Sequence, residues 1–146
     1  MQDQRLDRLA DLLITYSLHL KRGELFEVNG AVPAKPLIKA VMRAANRVGA
    51  VPFVKLTDDE LTRLSFGYID PDQPEEALSV IQRQLRWENV YWDYMAAHVD
   101  IGVDENDEII GYKFVNLGKM MDAIKKGVDP KAAYEKNIGT YGRFAE

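Results

Sequence analysis

His98 and Asp100 flank Val99, and residues i and i+2 of a strand project from one face, so an imidazole and a carboxylate there could share a metal. A His-x-Asp pair supplies only two ligands. A hydrolytic zinc or cobalt site wants at least three protein ligands. The chain has two histidines, so the others would have to be carboxylates that the spacing does not single out. His19, the second histidine, reads as a surface or capping residue near the end of the first helix. Asp58, Asp59 and Glu60 could be read as paired catalytic carboxylates, but Thr57 to Glu60 has capping-box spacing, which accounts for all four residues. The acidic run Asp104 to Glu108 invites a calcium reading. With Asp104 first, the sixth position is Ile109 instead of glycine and the twelfth is Val115 instead of a carboxylate, so the run reads as a solvated turn. Neither a dinucleotide glycine fingerprint, a phosphate loop nor a nucleophile elbow occurs. No residue is assigned as catalytic, cofactor-binding or metal-binding.

Composition narrows the setting of these residues. In 146 residues, 47% are hydrophobic and 29% charged, enough for one globular domain, residues 1–146, that buries about 70% of its unfolded surface. The net charge of -4 and the scattered Lys and Arg argue against a nucleic-acid partner. Without cysteine, disulfides and thiolate metal sites are excluded, and a reducing compartment is compatible. No window approaches 18 consecutive apolar residues. The expectation is a cytoplasmic protein that does not enter a membrane.

The pattern predicts the elements that would position such residues. Leu6, Leu9, Leu12, Leu13, Tyr16 and Leu20 place one apolar stripe on a helix from about Gln4 to Leu20, ended by Gly23. Leu25-Phe26-Glu27-Val28 reads as a short apolar strand, and Leu37 to Val48 as a helix closed by Gly49. Val51 to Leu56 reads as a second strand, with Pro52 near its start or on a sheet edge. A crossover of about twenty residues suits a parallel pair. Helix three begins at the Thr57 cap, and a long helix starts at Pro74 and carries residues up to Tyr94 and Met95. Trp87, Tyr91, Trp92 and Tyr94 on it are expected in the core or at a subunit interface. Val99 to Val103 and Ile109 to Val115 complete the strands, and Leu117 to Lys126 and a helix capped by Asp129-Pro130 follow. The fold class is therefore α/β, a small, mostly parallel sheet of three to four strands flanked by helices.

Several segments, in order, carry a family resemblance. Leu9-Ala10-Asp11-Leu12-Leu13-Ile14-Thr15-Tyr16-Ser17-Leu18, followed by Leu20-Lys21-Arg22-Gly23-Glu24, resembles the opening of the aminopeptidase T family. Ala34-Lys35-Pro36-Leu37-Ile38 is similar to the start of that family's second helix, and Arg47-Val48-Gly49-Ala50-Val51-Pro52 to its step into the second strand. Trp87 through Ile101 resembles the long helix and strand that follow, and Gly127-Val128-Asp129-Pro130-Lys131 the start of a late helix. The similarity spans roughly residues 6 to 137. It implies a metal-dependent exopeptidase, usually a dimer, that removes N-terminal residues with clustered divalent zinc or cobalt ions and an activated water. The family's ligands lie in a following catalytic domain, so no metal residue carries over.

Three readings follow from the resemblance. The first is a non-catalytic N-terminal domain that shapes the substrate channel, because the chain ends just after the Gly-Val-Asp-Pro helix, with a peptide substrate only in the full enzyme. The second is a binding or regulatory protein that forms a homodimer or pairs with a chain carrying the catalytic domain. The third is a compact hydrolase using His98, Asp100 and nearby carboxylates.

Overall fold

The computed structural model describes residues 3–142, so residues 143–146 of the C-terminal tail lie outside the described residues. The chain divides into two compact units, one of Met1–Leu56 with Met95–Glu146 and one of Thr57–Tyr94. The larger unit carries α1 (Gln4–Asp11), a π turn (Leu12–Ser17), β1 (Leu25–Ala31), α2 (Lys35–Val48) and most of β2 (Val51–Thr57). It continues with β3 (Met95–Val103), β4 (Ile109–Val115), α5 (Leu117–Lys125), α6 (Pro130–Lys136) and β5 (Ile138–Gly142). The smaller unit holds α3 (Asp59–Leu64) and α4 (Pro74–Asp93). No helix among the described residues is long and apolar enough to cross a membrane.

The sheet corrects the expected topology. It has five strands in the order β2-β1-β3-β4-β5, instead of three to four. It is also mixed: β1 pairs with β3 in parallel, while β3 with β4 and β4 with β5 are antiparallel. The short acidic turn between β3 and β4 is the reason, because a parallel neighbour needs a crossover of a dozen residues or more. β5 is a strand that the residue pattern does not announce. Pro52, the second residue of β2, stands on the edge strand, as its missing N–H requires.

Alternation along β3 sets the two faces of the sheet. Met95, Ala97, Val99 and Ile101 are buried, whereas His98 and Asp100 between them are half-buried. Phe26 and Val28 of β1 and Tyr112 of β4 join the buried set, with Leu13, Ile14, Leu37 and Val41 from the helical layer. These side chains form the main core, and burying each one contributes roughly 1.5–3 kcal/mol before entropy is counted.

Local chemistry explains where the elements depart from expectation. The first helix does not run regularly to Leu20; it widens into the π turn, with Leu18 N–H bonding Leu13 C=O at 2.9 Å. Thr15 Oγ1 donates to Asp11 C=O at 2.6 Å there, a back-bond that competes with regular helix. His19 follows in a left-handed conformation, φ 49°, so this residue and not Gly23 turns the chain away. α2 ends as expected at Gly49, whose φ of 79° is costly for a residue with a Cβ. β1 continues through Asn29-Gly30 to Ala31, because Asn29 remains in register with Asp100.

In the smaller unit the cap is Asp58, not Thr57: Asp58 Oδ1 accepts from Leu61 N–H at 3.0 Å, while Thr57 closes β2. α4 ends at Asp93, and Met95 opens β3 instead of extending the helix. Ala77 alone among the described residues of this unit is buried. Trp87 is 67% and Tyr94 70% exposed, so neither is a core residue, whereas Tyr91 and Trp92 are half-buried.

Tyr112 gives the larger unit a measurable alkaline signature. Burial pushes its phenol above the ordinary value of 10.0, and Tyr141, stacked on it with ring centroids 5.6 Å apart, adds to the rise. The folded state therefore keeps a proton that the unfolded state releases, so this contribution to stability is whole below pH 10 and falls as pH rises beyond it. Urea midpoints measured from pH 8 to 11.5 should fall less steeply for Tyr112→Phe than for the unsubstituted chain. Identical slopes would refute the assignment.

Candidate functional site

The second face of the sheet carries the chemistry-bearing side chains. Glu27 on β1 lies directly opposite His98 on β3, and Asn29 lies opposite Asp100. On the other side of β3, Asp100 lies opposite Lys113 of β4. Residues opposite each other share a face, and so do residues two apart, so Glu27, Asn29, His98, Asp100 and Lys113 all project from the face away from the Phe26–Val28–Val99 core.

Glu27 is the charged group the sequence reading missed. Its side chain is 4% exposed, and Oε2 lies 3.5 Å from His98 Nδ1, whose side chain is 26% exposed. At that separation the two side chains are in contact, yet Glu27 Oε2 makes no hydrogen bond in the structure. The geometric shortfall decides: at 3.5 Å the contact lacks the directional bond that would offset the desolvation of the carboxylate fully. Asn29 Oδ1 is likewise sealed without a partner. The available signal was a carboxylate between Phe26 and Val28, in a strand whose other face is fully apolar.

The remaining candidates resolve into structural roles. His98 and Asp100 do share a face, but no group of three or more His, Cys, Asp or Glu side chains among the described residues is arranged to hold a metal. Asp58, Asp59 and Glu60 open α3, with Asp58 as its cap. Asp104 Oδ1 accepts from the N–H groups of Asn106 and Glu108, each at 2.9 Å, and so closes the β3–β4 turn. Asp129 caps α6 by accepting from Ala132 N–H at 3.2 Å.

His19 borders an open cleft of about 510 Å³ in the larger unit, with Lys21, Glu24, Lys119 and Asp122 on its walls. Buried Asn116 forms its floor, donating to Leu18 C=O at 3.3 Å and accepting from Lys119 N–H at 3.4 Å. Glu24 Oε1 accepts from Lys21 N–H at 2.7 Å, so this carboxylate is already engaged in shaping the turn before β1. The cleft lies at the N-terminal ends of β1 and β3, whereas ligands of open α/β sheets gather at the C-terminal ends.

Comparison with known proteins places the chain. Wild-type AmpT from Thermus thermophilus is similar to it at 26% identity over 47% of this chain, with a TM-score of 0.40. The similarity covers 18% of that structure's own chain. No curated protein matches the sequence. The family implies a divalent metal, and the donor set on the polar face does not fit one, for Glu27 and His98 meet without a third ligand among the described residues. The model of the thermophilic metalloprotease (M29) family matches residues 2–137, nearly the whole sequence, and the chain belongs to that family.

Proposed function

We propose that residues 1–146 act as the non-catalytic N-terminal domain of a metal-dependent aminopeptidase, shaping the channel through which a peptide reaches a separate catalytic region. The observation that carries this reading is the match of the thermophilic metalloprotease (M29) family model over residues 2–137. Zinc or cobalt and the water it activates would belong to that catalytic region, which a partner chain or a further stretch of polypeptide supplies. A cytoplasmic setting fits a chain without cysteine.

Elemental analysis of the purified chain, paired with an aminopeptidase assay in added zinc or cobalt, tests the proposal. The expected result is substoichiometric metal and no peptide turnover. Metal at one or more per chain, with turnover abolished by His98→Ala, would instead make this a compact hydrolase centred on His98 and Asp100.

A second reading is a binding or regulatory protein that pairs with another chain through α4. Leu85, Trp87 and Val90 on that helix and Tyr94 at its C-terminal cap favour it, because all are more than half exposed and the aromatic content suits an interface. A stable complex lost on Trp87→Ala, in a chain without peptidase activity, would select this reading.

A further inference from the structure

We draw no further inference here: the strongest candidate, the open cleft of about 510 Å³ between Lys21 and Glu24 before β1 and Lys119 and Asp122 of α5, rests on a helix N-terminus whose buried Asn116 already bonds Leu18 C=O and Lys119 N–H, so nothing in it points to a ligand.

Discussion

Gly111→Ala should destabilise the chain by about 4 kcal/mol or more, and the damage should begin at the β4–β5 ladder. Gly111 adopts φ 141°, and a Cβ there would run into the Tyr141 carbonyl oxygen, with the carbonyl carbon 2.9 Å away. Its register partner on β5 is Gly142, and on β3 it faces Gly102, so the chain is narrow where three strands run side by side. The obstruction is backbone, which no rotamer change relieves. Moving β5 aside would also separate Tyr141 from Tyr112 and open one edge of the core.

Urea unfolding would measure the loss, and amide hydrogen exchange would locate it in residues 138–142. Gly118→Ala is the matched control. The nearest atoms to its Cβ are at ordinary contact distance, 3.7 Å, and it lies in α5, where alanine is the better helix former. A loss below about 1 kcal/mol in Gly111→Ala would show that the two strands separate at little cost.

Removing His98 and removing Glu27 should have opposite consequences. His98→Ala takes the imidazole from beside a carboxylate that is 4% exposed and already short of a hydrogen bond. The destabilisation should be about 3 kcal/mol, because an uncompensated charge or an unsatisfied acid is left in the interior. Glu27→Leu removes the desolvated group itself and fills its place with apolar volume, so stability should be unchanged or increased by about 1 kcal/mol or more. Adding Glu27→Leu to His98→Ala should then recover most of the loss. A double-mutant cycle in urea reads the coupling directly. Two independent, additive losses would mean that the pair contributes nothing as a pair.

Elements with local signals were legible before any coordinates. α2 has Pro36 at its start and Gly49 at its end, and α6 has Asp129-Pro130, so each carries both its boundary and the reason for it. The strand character of β4 and the turn chemistry of Asp104 were also readable from residue types. β5 was not, because Ile138-Gly139-Thr140-Tyr141-Gly142 alternates too weakly to declare itself and becomes a strand only against the open edge of β4. The π turn was similarly hidden, since the spacing of Leu6, Leu9 and Leu13 fits a regular helix until packing and the Thr15 back-bond widen it.

The candidate site divides along the same line. That His98 and Asp100 share one face follows from a period of two, which any strand must obey. That Glu27 stands against His98 depends on β1 and β3 becoming neighbours across some seventy intervening residues, and on their register. A one-residue slip would have turned Glu27 into the core face and Phe26 out of it.

By itself the sequence determined the family, both ends of α2, the capped start of α6 and the strand alternation, since each is written in order and spacing along the chain. The tertiary structure alone decided which strands meet, in which direction, and which carboxylate is sealed beside which imidazole. Pairing and desolvation depend on neighbours remote in sequence, and no local window contains them.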